Sequence, residues 1–384
     1  MKSQKSRFKY TFPLTIFFAI AGFACQETGL DESSSDSDVK NTVAGGICRF
    51  GTEISGSFPL ARYFPEHNAT YASYHFYNEA NLGFKLTGQL VNARYQGFDV
   101  FDKDTGNPLG ALADDELIFE VENNQYTIWL LPEGVSVNPE DKPNVIRIPS
   151  ASRSVGVLSR RYLKTGFNFG GGPHLEAINT QTWESRRCPQ NAPAADTTGI
   201  FDLSMQELRK LPLEDNVSFY RVSVDGLTPA THNKYLITRI GQPRSNPLVL
   251  RFRAPKEHQV RYWSICSGDL STSATPNCIH DEKMNVDRDG FVHLVVRPGI
   301  QTFDGNGANN YSYLSWPNNR DLILSYRQLL AEDNFVGRIS QVSEQAASDI
   351  EESGVPAHSL MGDYSPQGVF CHPEVLKQGR CFPQ

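Results

Sequence analysis

Two arginine–tyrosine pairs are the first residues here that can do chemistry, because each is followed by acidic residues and the set occurs twice. Arg94-Tyr95 precedes Asp115-Glu116, and Arg261-Tyr262 precedes Asp281-Glu282. A guanidinium fork matches the two oxygens of a carboxylate, so an Arg and an Asp on neighbouring strands can form a bidentate pair that pins register. Facing a pocket, the same arginines would bind a carboxylate or sulfate. A single active site needs the set only once, so its presence in both copies favours a structural role. Residues that differ between the copies are the better functional candidates. The second copy has Trp263 where the first has Gln96. It has His280 beside Asp281 where the first has Asp114 beside Asp115, and His293 where the first has Ile128. His280 and Asp281, with Asp287 nearby, are the candidate acid and base of a hydrolase or lyase. Arg94, Arg261, Trp263 and His280 are the candidate lining of a binding groove.

Several other signals come to less. There is no GxSxG nucleophile elbow and no ordered Ser–His–Asp set. Asp287-Arg-Asp-Gly290 has the start of a calcium loop but lacks its third carboxylate position and closing Glu, so a turn explains it. Gly166 to Pro173 is glycine-rich, yet no Lys-Ser or Lys-Thr follows to make a phosphate cradle. No CxxC or HxxxH spacing occurs, so neither a metal site nor a cofactor is expected. Tyr71, Tyr74, His75, Phe76 and Tyr77 form an aromatic cluster, expected to be core more than a platform for sugar rings.

The elements that must position these residues are also duplicated. Besides Arg94/Arg261, the correspondences are Asp115/Asp281, Tyr126 to Gly134 with Phe291 to Gly299, Pro149/Pro317 and Leu158-Ser159 with Leu324-Ser325, all 165 to 168 residues apart. A repeat at a fixed offset implies two copies of one folding unit. Leu248, Leu250, Phe252 and Ala254 alternate with Val249, Arg251 and Arg253, as do Phe84, Leu86 and Leu90 with their neighbours, which is the period of a half-buried strand. Asp102 to Gly106 and Asp287 to Gly290 have hairpin-loop chemistry. The expected fold is mainly β: two tandem β-sandwich or jelly-roll units with a few short helices. Helix is expected over residues 337–353 and 204–211. The predicted division is a signal peptide at 1–24, a tether at 25–45, a first β repeat at 46–200 and a linker at 201–225. A second repeat at 226–336 and a helix with a disulfide-held, irregular tail at 337–384 complete it.

Arg261-Tyr262-Trp263-Ser264, then Asp281 and an Asp-Gly hairpin, then Tyr313-Leu-Ser-Trp-Pro317 before Leu-Ile-Leu-Ser-Tyr-Arg, resembles a class of bacterial envelope lipoproteins known only as domains of unknown function. The likeness spans residues 60–335. It implies tandem jelly-roll-like halves and an envelope location, and no activity.

Lys2, Lys5, Arg7 and Lys9 precede an apolar stretch from Thr11 to Ala24, too short to span a bilayer and typical of a secretory signal. It ends Gly22-Phe-Ala-Cys25, similar to a lipobox, where the cysteine is acylated and becomes the N-terminus; Gly22 departs from the usual Leu. Seven cysteines are an odd number for an exported chain, and lipidation of Cys25 removes the odd one. Short spacing favours Cys266–Cys278 and Cys371–Cys381, leaving Cys48 with Cys188. Gln26 rather than Asp fits sorting to the outer membrane, and the acidic run to Asp38 reads as a disordered tether. The net charge of −7 becomes more negative once the leader's four cations are lost. Nucleic acid is therefore not an expected partner. The expected role is binding a glycan, polymer or envelope protein in the groove between the repeats. The alternatives are an envelope enzyme in the second repeat and a scaffold without a small ligand.

Overall fold

A computed structural model describes residues 47–48, 50–51, 54–56, 64–163, 173–189, 205–223, 231–241, 244–298, 310–316 and 321–382. Cys25 and the expected signal peptide and tether lie outside them, as do Pro317, Gly299 and the glycine-rich loop up to residue 172.

Alternation of apolar side chains builds two sandwiches. In the first unit the strands are β1 (Ile47–Cys48), β2 (Ile54–Ser55), β3 (Ala69–Tyr77), β4 (Leu82–Gln89), β5 (Tyr95–Asp102), β6 (Pro108–Ala113), β7 (Phe119–Glu120), β8 (Gln125–Pro132), β9 (Val145–Ile148), β10 (Ser154–Tyr162) and β11 (His174–Asn179). One sheet runs β2-β3-β10-β5-β6; the other runs β1-β11-β4-β8-β7, with β9 also on β8. Tyr74, Phe76, Phe98, Val100, Val155 and Val157 from the first sheet meet Phe84, Leu86, Tyr126, Ile128 and Leu130 from the second in one core. In the second unit the strands are β12 (Asn216–Val217), β13 (Asn233–Gly241), β14 (Leu248–Arg253), β15 (Val260–Asp269), β16 (Asn277–His280), β17 (Phe291–Pro298), β18 (Ser312–Trp316), β19 (Leu322–Ala331) and β20 (Gln367–Phe370). Their sheets run β13-β19-β15-β16 and β12-β20-β14-β17-β18.

Laid side by side, the orders coincide. β3-β10-β5-β6 corresponds to β13-β19-β15-β16, and β11-β4-β8-β9 to β20-β14-β17-β18. Even the one parallel pair recurs, β8 with β9 and β17 with β18. Pairing also corrects two of the sequence correspondences. Tyr126, Ile128 and Leu130 lie in the core of one sandwich and Val292, Leu294 and Val296 in that of the other, to which Phe291 does not belong. Tyr126 therefore matches Val292, not Phe291, and His293 matches Thr127, not Ile128. A slip of one residue along a strand turns every side chain to the opposite face.

The expected helix over 337–353 is broken: Ile339–Gln341 is a 3-10 turn and only Ala347–Ser353 is α-helical. Residues 205–208 form one helical turn. Met205, Leu208, Ala347 and Ile350 pack on Ile237 and Ile323, covering part of the β13-β19-β15-β16 sheet. The C-terminal segment is more ordered than expected, since β20 is an integral strand of the second sandwich.

Three disulfides tie the fold: Cys48–Cys188, Cys266–Cys278 and Cys371–Cys381. The first closes a sequence separation of 140 residues around the first unit. A loop that long strongly restricts the unfolded chain, so Cys48→Ser with Cys188→Ser is expected to cost about 2–5 kcal/mol in urea unfolding. An unchanged midpoint would show that β-pairing alone holds the ends of the first unit.

Candidate functional site

Arg94 and Arg261 each stand one residue before a strand of the facing inner sheets, or at its second position, where the chain of one unit meets the other. Arg94 Nε donates to the Arg261 carbonyl at 2.8 Å, and Arg261 Nε donates to the Arg94 carbonyl at 2.8 Å. Arg261 then grips both oxygens of Asp114 at 2.7 Å, and Arg94 binds Asp281 at 2.8 Å and Glu282. The expected bidentate pair exists, but each arginine takes its carboxylate from the opposite unit. Asp114, not Asp115, is therefore the counterpart of Asp281; Asp115 stands 3.7 Å from Arg261. Burial pulls the Asp114 carboxyl upward in pKa, while the Arg261 guanidinium opposes that shift.

Behind this clamp lies a sealed polar layer. The inner sheets turn Tyr71, Asp99, Arg160 and Tyr162 toward Tyr235, Tyr262, Ser264 and Arg327. Arg160 and Arg327 occupy matching positions, facing Gly97 and Ser264 respectively. Asp99 lies 3.1 Å from Arg160. Its counterpart on β15 is Cys266, which is spent in a disulfide, so Arg327 takes Glu66 from the first unit at 3.3 Å. Glu66 is wholly buried and also accepts from Ser264 at 2.6 Å. Burial raises the pKa of Tyr71, Tyr162 and Tyr262, and pushes Tyr235 up to about 12. Shifts of this kind mark functional sites when solvent can reach them. Here Tyr162, Tyr262, Arg327 and Glu66 are all closed off, so the layer is a joint. Glu66, Cys266 and Cys278 gather at metal-ligand distances, but both sulfurs are bonded to each other and offer no thiolate.

The remaining sequence candidates are dispersed. Trp263 is buried in the second core, edge-on to Phe252 with ring centroids 5.5 Å apart. His280 is buried and stacked on Tyr262, its Nδ1 3.5 Å from Asp281. His293 contacts Asp287 at 3.1 Å, with their side chains about a quarter exposed. Asp287 itself caps its turn: burial raises it, yet backbone donors at Phe291 and Asp289 and the His293 ring hold its pKa below the ordinary value. No nucleophile joins this pair among the described residues. Of the aromatic cluster, Tyr74 and Phe76 are core, while Tyr71 lies in the joint.

The feature that sequence patterns did not disclose is on the outer face of the first sandwich. Registers place Glu176, Lys85, Trp129 and Val145 in one row across β11, β4, β8 and β9. Trp183, from the turn after β11, meets Trp129 edge-on at 6.0 Å and 85°. It is 37% exposed and has φ 62°, a conformation that costs a bulky side chain about 1–3 kcal/mol. Lys142 sits 4.2 Å from the Trp183 ring centre and 5.2 Å from that of Trp129, and Lys85 stands 5.9 Å from Trp129. Asn144 anchors the loop that carries Lys142 by donating to the carbonyls of Ile118 and Thr127 at 2.7 and 3.0 Å. The matching row in the second unit is Val369, Val249, Val295 and Tyr313. That row is apolar and covered by its own C-terminal segment through Cys371, Leu376, Cys381 and Phe382. Only a signal joining residues 54 positions apart could have revealed the pair of indoles.

No protein-family model matches the sequence, and no curated protein matches it. Among solved structures, an uncharacterized protein from Burkholderia cenocepacia is similar with TM-score 0.53 at 13% identity, covering 73% of this chain and 78% of the other. The VPA0106 protein from Vibrio parahaemolyticus gives TM-score 0.46 at 11% identity, over 82% and 92% of the chains. The first likeness concerns the fold alone.

The buried groups lead to two expected outcomes. Glu66→Gln leaves the Arg327 guanidinium without a carboxylate and should cost about 3–5 kcal/mol in urea unfolding, most of it regained in Glu66→Met with Arg327→Met. A loss under about 1 kcal/mol would show that the buried pair does not hold the joint. His75 is the second. Burial, with a smaller push from Lys103, lowers its pKa to about 4. A base with a lowered folded pKa charges more readily when unfolded, so its contribution is present above about 6.5 and lost as pH falls toward 4. His75→Gln should flatten stability over that window, and an unchanged pH profile would contradict the assignment.

Proposed function

We propose that this chain is an exported, lipid-anchored protein of the bacterial cell envelope that binds its ligand on the outer face of the first sandwich. The observation that carries the binding site is the contrast between equivalent rows: one apolar and capped by the chain's own tail, the other bearing Trp129, Trp183, Lys85 and Lys142 with no such cap among the described residues. Binding in a groove between the units has less support, because Arg94 and Arg261 bind across that junction to each other's unit and Trp263 belongs to a core. The hydrolase or lyase alternative has less support too, with His280 buried against Tyr262.

Cysteine usage supports export and anchoring. Six of the seven cysteines are paired, which singles out Cys25, and it follows the lipobox-like Gly-Phe-Ala. Disulfides belong to oxidising compartments. No helix among the described residues is long and apolar enough to cross a membrane. Gln26 points to the outer membrane as the sorting destination, and the resemblance to envelope lipoproteins with tandem halves agrees with that placement.

Fractionation separates the two parts of the proposal. Cys25→Ser should move the protein from the membrane pellet to the soluble fraction with its folded stability intact. In the Cys25→Ser background, Trp129→Ala with Trp183→Ala should lose retention on isolated envelope material freed of membrane lipid. A Cys25→Ser, Trp129→Ala, Trp183→Ala protein that stayed in the pellet would contradict the anchor. Undiminished retention of the double tryptophan variant would contradict the binding face.

A further inference from the structure

The outer face of the first sandwich also carries the chemistry of its ligand, and an inference about that ligand rests on the binding role proposed for this face. We infer that it is built for an anionic saccharide, a chain of sugar rings bearing carboxylates. Three independent features lead there.

The first is shape. A flat sheet face with two indoles at 85° offers one stacking surface and one wall, set 6.0 Å apart. Sugar rings present flat C–H faces that pack on indole, as other apolar-bodied groups do. Trp183 keeps its exposed position through hydrogen bonds in its own turn, where its N–H donates to the Asn179 carbonyl at 2.7 Å and Asn179 N–H to the Glu184 carbonyl at 2.9 Å. The backbone that carries the indole is therefore fixed before any ligand arrives, which lowers the ordering cost of binding.

The second is polar lining. The row beside the tryptophan row runs His174, Thr87 and Thr127 across β11, β4 and β8. Hydroxyl and imidazole groups there can donate and accept, which suits sugar hydroxyls. A lipid tail or a hydrophobic helix would bury these groups unpaired at a cost. In the second unit the row matching these groups is also polar (Gln367, Arg251 and His293), so what sets the faces apart is the tryptophan row, which there is valine-rich and takes a polypeptide cover.

The third is charge. Lys85 and Lys142 make no ion pair with a carboxylate among the described residues, although the whole chain is acidic. Glu176, opposite Lys85 in register, is engaged by Ser185. Two ammonium groups stand over the indoles, with Lys142 held by both rings. A carboxylate on a sugar packed against the indoles would meet these ammonium groups. Neutral sugars would gain the stacking without the ion pairs.

The test uses the purified full-length protein in detergent with three probes of equal length: hexagalacturonate, chitohexaose and hexalysine. Indole fluorescence and calorimetry report binding. Hexagalacturonate should bind at least about tenfold more tightly than chitohexaose and weaken as salt rises. Trp183→Ala and, separately, Lys85→Ala with Lys142→Ala should each weaken it by about tenfold or more, with unchanged thermal unfolding. Equal binding of chitohexaose, insensitive to the lysine changes, would overturn the anionic class while leaving the binding face intact. Tighter binding of hexalysine would overturn it in the opposite direction. Failure of all three probes, with envelope retention still dependent on the tryptophans, would overturn the saccharide assignment alone. A dimer that Trp183→Ala dissolves would reassign the face to a second copy of the chain. If the tryptophans matter to neither probes nor envelope retention, the binding role itself falls.

Discussion

The structure depends on a crossed clamp: two arginines, equivalent in two copies of one sandwich, each holding the other's backbone and the other copy's aspartate. In an isologous contact, residue i meets j while j meets i, the arrangement expected when two identical units associate about a twofold axis. Here the two units lie on one chain. That explains why both copies carry the Arg-Tyr and acidic set, since neither half of the clamp works without the other. It also directs the chemistry of the molecule. The faces that could have formed a cleft are consumed by Tyr71, Tyr95, Tyr162, Tyr262 and two buried arginine–carboxylate pairs.

Departures from the twofold are equally informative. At the position equivalent to Asp99 the second unit has Cys266, committed to a cross-strand disulfide with Cys278. Arg327 would then be a buried cation without a counterion, and Glu66 from the first unit fills that place. A buried charge left unpaired is far more costly than a paired one, so this substitution of partner preserves the joint. On the outer faces the asymmetry has the opposite character. The second unit's apolar row is hidden under the tail tied by Cys371–Cys381, whereas the first unit's row carries aromatic and cationic side chains. Symmetric residues hold the body together, and the asymmetric outer row sets the first unit apart.

Much of the fold was legible because strands announce themselves by alternation. Leu248, Leu250 and Phe252 point into the core as their spacing predicts. The mainly β sandwich architecture follows from such runs. What alternation does not carry is partner identity. Matching Tyr126 to Phe291 by similarity of type erred by one position, which strand pairing and core membership reveal: Tyr126 and Ile128 lie in one sandwich core, Val292 and Leu294 in the other. Asp114 and Asp115 are indistinguishable as a dipeptide, and only the reach of Arg261 separates them. The site was less legible still. Trp129 reads as an ordinary strand residue, and Trp183 as part of a polar turn; their meeting depends on the turn after β11 folding back over β8. Glu66 is an isolated acid in sequence: Asn68 donates to one of its oxygens locally, but Ser264 and Arg327 lie nearly two hundred residues downstream or more.

The central claim is that the clamp and the sealed layer behind it make both sandwiches one cooperative body. Differential scanning calorimetry tests this most directly, by comparing the calorimetric and van't Hoff enthalpies of unfolding. A single transition with the two enthalpies equal is the predicted result. Two separable transitions, one for each sandwich, would contradict it.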